Sequence, residues 1–141
     1  MPIRPANRDR YPPNWREISR AVRDAAGHRC EFCGVPDGAV GWRDARGRFV
    51  ALDPLRLAVC QWPRPPFTVT FVAHPPRVIR VFQVVLTVAH LDHTPEHCER
   101  ANLRAWCQRC HLNYDRAYHV AERARNRAAA SGQLSLTGLT I

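Results

Sequence analysis

The chain has no lysine: all 21 of its basic residues are arginine, set against 12 acidic ones, for a formal charge of +9 over 141 residues. A guanidinium clasps phosphate oxygens through two parallel N–H bonds, which an ammonium cannot do. An excess made of arginine alone therefore points to a polyanionic partner, nucleic acid before any other, although a biased codon composition produces the same excess. Long apolar runs are missing as well. The longest, Val78 to Ala89, is broken by Arg80 and Gln83 and is too short to span a bilayer. The first thirteen residues carry Arg4, Arg8 and Arg10 without an apolar stretch, which excludes a secretory signal there. These absences lead to the expectation of a soluble cytoplasmic protein with no membrane partner. Six cysteines suggest a disulfide framework, but in a reducing compartment the paired C-x2-C motifs among them read as metal sites instead.

What is present suits one modest domain helped by an internal staple. A flexible basic arm is expected over 1–13, a single domain over 14–130 and a loose tail over 131–141. Asn14-Trp15-Arg16-Glu17 has the form of a capping box, and Ile18, Val22 and Ala25 follow helical spacing. A helix is thus predicted to about Ala26, with Gly27 as its left-handed stop. Residues 39–52 read as a hairpin around a polar turn at Asp44 to Gly47. The proline-rich stretch 53–77 is predicted to lack regular structure and to belong to a surface insertion of about 34–80. Arg77 to Leu91 reads as a strand, and from Leu103 the pattern reads as helical to Ala130, where Ser131-Gly132 stops it. Along that helix Arg116, Arg123, Arg125 and Arg127 form a basic stretch suited to a phosphate backbone or to plain solvent.

Cys30-Glu31-Phe32-Cys33 and Cys107-Gln108-Arg109-Cys110 are two C-x2-C pairs, the spacing at which two thiolates from one turn reach the same tetrahedral ion. Four thiolates close the coordination shell, so the zinc they imply is structural and takes no part in chemistry. Cys60 and Cys98 stand alone and read as small buried hydrophobes. Trp42, Trp62 and Trp106 read as core. His28, His74, His97 and His119 read as structural or solvated.

Three segments then carry a resemblance: Val88-Ala89-His90, Ala101-Asn102-Leu103 and Cys107-Gln108-Arg109-Cys110-His111, with twelve residues from His90 to Asn102 and nine from Asn102 to His111. Together with the Cys30/Cys33 pair, this resembles the HNH endonuclease family of small bacterial and phage type, over a core motif of about 84–115. The resemblance implies an α+β fold: a ββα-metal core with an N-terminal helix, a hairpin-containing insertion and a long C-terminal helix, stapled by zinc. It implies hydrolysis of DNA phosphodiesters by a one-metal mechanism, with 5′-phosphate and 3′-hydroxyl products. His90 would be the general base, Asn102 would orient it, and His111 would bind the catalytic Mg2+ or Mn2+. The expected substrate is double-stranded DNA with little sequence preference, RNA less so, with Arg109 and Arg116 among the phosphate contacts. At the residue before the base, many members carry Asp or His as a metal ligand and this chain has Ala89. Asp92, His93 and Asp115 are the replacements at hand, and His93 is the alternative base. Asp115, four residues after His111, shares its helix face. Ala89 also keeps open a noncatalytic zinc-stapled nucleic-acid-binding module with a decayed nuclease site. Oligomeric state, and with it nicking or double-strand cleavage, is not legible here.

Overall fold

A computed structural model describes residues 5–53, 55, 63–71 and 76–130. The expectations for the tail 131–141 and for Cys60, Trp62 and His74 lie outside the described residues. Among those described, the fold is α+β: two α-helices, two antiparallel sheets and two short 3-10 turns, at Pro5–Arg10 and Arg100–Asn102.

Helix α1 (Trp15–Ala25) forms where the spacing predicts it, although Asn14 makes no side-chain cap. Its end is the expected one. Gly27 takes a left-handed backbone (φ 58°), and the amides of Gly27 and His28 bond the carbonyls of Asp24 and Arg23. This reciprocal pair satisfies the last carbonyls of the helix and needs a residue free of Cβ strain at the glycine. The hairpin is also as predicted. Strands β1 (Val40–Arg43) and β2 (Phe49–Ala51) flank a turn in which Asp44 accepts from the amides of Arg46 and Arg48.

The proline-rich region departs from expectation, because it contains strand β3 (Phe67–Phe71), paired along its length with β4 (Arg77–Gln83). With the hairpin these make a four-stranded sheet of order β2-β1-β4-β3. Instead of running on to Leu91, the chain changes sheets at Val84-Val85. There the Val85 amide bonds the Gln108 side chain and the Leu86 amide bonds Asp37. Strand β5 (Leu86–His90) then pairs with β6 (Leu103–Cys107), a segment whose composition reads as helical but which forms a strand. Sheet pairing wins because Leu103, Ala105 and Cys107 are all fully buried on one face while Trp106 is buried on the other, which hides the alternation of a two-residue period. Helix α2 (Gln108–Ala130) starts directly after β6.

The register sorts the side chains of this small sheet. Leu86, Val88 and His90 oppose Cys107, Ala105 and Leu103, so these six share one face, while Thr87 and Ala89 share the other with Trp106 and Arg104. The first face packs on α1 around Val22, Ile18 and Trp15. The second meets α2, where Trp106 contacts Tyr114 edge-on at 4.9 Å between ring centres. The core thus runs through the β5–β6 layer, and full burial of a side chain such as Leu103 contributes about 2 kcal/mol to it. No described helix is long and apolar enough to cross a membrane.

Candidate metal centre and histidine cluster

Cys30 and Cys33 lie in the turn that follows α1, and Cys107 and Cys110 at the junction of β6 with α2. In the turn, the Gly34 amide bonds the Cys30 carbonyl and the Cys30 amide bonds the Val35 carbonyl, with Gly34 left-handed (φ 72°). Glu31 docks this turn on β6: its amide bonds the Ala105 carbonyl, and its carboxylate accepts from the Ala105 amide at 2.5 Å. The four sulfurs lie within 4.8 Å of one another. Cys33 and Cys107 are 3.8 Å apart at sulfur. That is far beyond a disulfide bond, and it matches the edge, about 3.8 Å, of a tetrahedron with 2.3 Å metal–sulfur bonds. Burial pushes the Cys110 thiol far up, and the neighbouring Cys33 and Cys107 sulfurs add to it. Burial also raises Cys33, whereas at Cys30 it is outweighed by the amides of Cys107, Cys33 and Phe32. Four thiolates cannot ionise together at this spacing without a cation. The cluster can therefore hold a structural metal such as zinc.

On the α2 face stands a second group of titratable side chains. Asp115 is buried, 8 % exposed, and three imidazoles surround it. His93 Nδ1 is 3.3 Å from Oδ1, His111 Nε2 is 3.1 Å from Oδ2, and His119 Nε2 is 3.8 Å from Oδ2. Helical spacing places His111, Asp115 and His119 in line, four residues apart. His93 arrives from the loop after β5 by way of a left-handed backbone (φ 60°), a conformation that costs a non-glycine residue energy. Its ring is stacked on Tyr118 at 4.3 Å and on Tyr114 at 5.3 Å, and the Tyr114 hydroxyl bonds the Leu91 carbonyl.

The His111 ring is held at both nitrogens. Nδ1 lies 2.7 Å from the Thr87 hydroxyl, which is also 3.2 Å from the Trp106 carbonyl, and Nε2 faces Asp115 Oδ2 at 3.1 Å. Burial pushes the His111 pKa down, against the opposing pull of Asp115, and so disfavours the proton.

Asn102 and His90 sit elsewhere than the resemblance implies. The Asn102 amide donates to Asp92 at 2.9 Å and to the His97 carbonyl at 2.8 Å, and its oxygen accepts from the Asp92 amide. Asn102 therefore braces the 91–97 loop and makes no bond to His90. Asp92 is fully engaged, because Oδ1 also accepts from the Thr94 amide and Oδ2 lies 2.5 Å from His97 Nδ1. His90 lies on the α1 face, stacked on Trp15 at 5.1 Å with Tyr11 edge-on at 5.8 Å, and its Nε2 is 3.8 Å from Cys98. Burial lowers its pKa, partly offset by Asp92. Ala89 is fully buried on the α2 face, where its methyl leaves the liganding to other residues.

The loop's bonds imply a pH dependence. The Asn102 amide, then His97 and the Thr94 amide, hold the Asp92 carboxyl well below its ordinary 3.8, and Asp92 in turn raises His97 above 6.5. A depressed carboxyl stabilises above its unfolded value and stops doing so as pH falls through the folded one. A raised histidine stabilises fully below its unfolded value and stops as pH rises through the folded one. Protection of the 91–98 amides, taken relative to the intrinsic exchange rate at each pH, should therefore be greatest between about pH 4 and 6.5 and fall on both sides. Protection unchanged from pH 5 to 8 would disprove the link.

Of the arginines, Arg109 donates to the Gly47 carbonyl and so ties α2 to the hairpin, while Arg116, Arg123, Arg125 and Arg127 lie exposed along α2. Arg123 also bonds the His119 carbonyl. His119, expected to be structural or solvated, joins this cluster, and the repeat of His111, Asp115 and His119 at four-residue steps is the signal for it. Thr87 and Arg43, both of which touch these sites, had none. Comparison with known proteins matches no family model, no curated protein and no solved structure.

Proposed function

We propose that this chain is a metal-dependent endonuclease of the HNH type, hydrolysing DNA phosphodiesters. One observation carries the reading: a buried Asp115 ringed by His93, His111 and His119 at the start of the helix that follows the four-cysteine centre. The succession β5, β6, α2 supports it, being the order of a ββα-metal core. The charge of +9 and the exposed arginines of α2 suit a phosphate backbone.

Phosphodiester hydrolysis needs a base for water, positive charge at the phosphate and fixed geometry. The geometry favours His93 over His90 as the base. With Nδ1 directed at Asp115, the hydrogen sits on that nitrogen and Nε2 is left to accept a proton from water. The stacked Tyr114 and Tyr118 rings and the Asn102-braced loop hold the imidazole in place. His111 and Asp115 are the pair that would hold a divalent ion, since their Nε2 and Oδ2 atoms lie 3.1 Å apart on successive turns of α2. Mg2+ needs few protein ligands when phosphate oxygens complete its shell. Bound there, it would supply positive charge for the scissile phosphate and the leaving oxygen.

The test is supercoiled plasmid incubated with the purified protein and Mg2+ or Mn2+, with and without EDTA. Metal-dependent nicking is expected, with His93→Ala inactive and His90→Ala active. The reverse pattern restores His90 as the base. Plasmid that is bound but never nicked identifies the noncatalytic binding module, which the apolar Ala89 position favours.

A further inference from the structure

Among the described residues, one side chain from outside the cysteine turns reaches the sulfur cluster. Arg43, at the end of β1, directs Nη2 to Cys107 Sγ at 3.6 Å and Nη1 to the Gly47 carbonyl at 3.1 Å. Its guanidinium also lies 5.9 Å from the ring centres of both Phe49 and Phe82, within range of cation–π attraction. The head is thus held by a carbonyl and two rings and aimed at a fully buried sulfur.

The charge arithmetic gives this contact a purpose. Four thiolates around a divalent cation leave a net charge of two negative units, and burying uncompensated charge is costly. The Cys107 amide donates to Cys30 Sγ at 3.3 Å, but an amide supplies only a dipole. Arg43 supplies a whole positive charge as well as an N–H donor. Of its neighbours, Arg48 pairs with Asp44 and Arg109 bonds the Gly47 carbonyl. Gly47, at the hairpin tip, takes a left-handed backbone (φ 77°) and receives both Arg43 and Arg109.

We propose that Arg43 is the charge-compensating outer partner of the four-cysteine metal centre, and that through it the β1–β2 hairpin docks against the metal-bound cluster. The inference rests on the cluster being a metal site, and it is independent of any nuclease activity. Outer partners of metal ligands change affinity by on the order of 10- to 100-fold, so Arg43→Met should weaken Zn2+ binding within that range. Arg43→Lys, which keeps the charge, should lie between it and the wild type.

The experiment is a competitive titration of the metal-free, reduced full chain with Zn2+ against a chromophoric chelator, paired with spectra of the Co2+-loaded protein. Arg46→Met, which alters a guanidinium on the same groove without a sulfur contact, is the control and should bind like wild type. In the Co2+ form, removing an N–H donor makes the sulfur more electron-rich, so the thiolate-to-metal charge-transfer band of Arg43→Met should move to lower energy. That readout survives even where a variant is less stable, because it is taken on the loaded protein. Wild-type affinity with an unmoved band in Arg43→Met overturns the proposal, as does an equal loss in Arg46→Met. A wild-type chain that binds neither Zn2+ nor Co2+ removes the metal reading itself.

Discussion

Replacing Asp115 with asparagine is expected to lower plasmid nicking by on the order of 10^3-fold while zinc content and the cooperative unfolding transition persist. Asparagine keeps the shape of the carboxylate, so packing against His93, His111 and His119 changes little. It removes the charge that the proposed histidine base and divalent ion would both need, because Oδ1 faces His93 and Oδ2 faces His111. One side chain thus serves two partners, and its loss should exceed that of His119→Ala, which stands farther off at 3.8 Å. Nicking measured over time with Mn2+, alongside metal analysis of the same preparation, decides the matter. A variant retaining a tenth of wild-type activity or more would remove Asp115 from the reacting centre.

The second large effect is on folding. Cys107→Ser should yield a chain without bound zinc and without a cooperative thermal transition, and a strong chelator should do the same to the wild type. Cys107 is fully buried between Cys33, the Cys30 turn and Arg43, where a serine hydroxyl replaces an anionic soft ligand with a neutral hard one. Cys33 and Cys107 are 74 residues apart in the chain, and a cross-link closing a loop of that size removes about 4 kcal/mol of unfolded-state entropy. Small domains are stable by only about 5–15 kcal/mol, so losing both the closure and the metal–sulfur bonds leaves little. Circular dichroism on heating, with zinc quantified in the same sample, provides the check. A soluble, zinc-free Cys107→Ser protein that still unfolds cooperatively would refute the structural role.

Much of this was legible in advance where the signal is local. The C-x2-C spacing, the glycine stop of α1 and the polar turn of the hairpin are each decided within a few residues, and each stands as read. The strands were harder. A two-residue period marks a strand only when one face is wet, and β6 is covered by α1 on one side and α2 on the other. The run 77–91 looked continuous because nothing in its composition marks the point where β4 leaves one sheet and β5 enters another. That break is made by Asp37 and Gln108, distant in the chain from the amides they receive.

By itself, the sequence determined the four-cysteine cluster, the arginine-borne charge and the alignment of His111 with Asp115, because helical pitch and C-x2-C turns are properties of short segments. Only the tertiary structure decided which histidine joins them. Strand parity turns His90 toward Trp15, the left-handed turn at His93 brings that ring to Asp115, and Asn102 is spent on bracing the loop between them. It also decided that Arg43 meets Cys107 across 64 residues of chain, a contact set by the docking of one sheet on another and written in no local pattern.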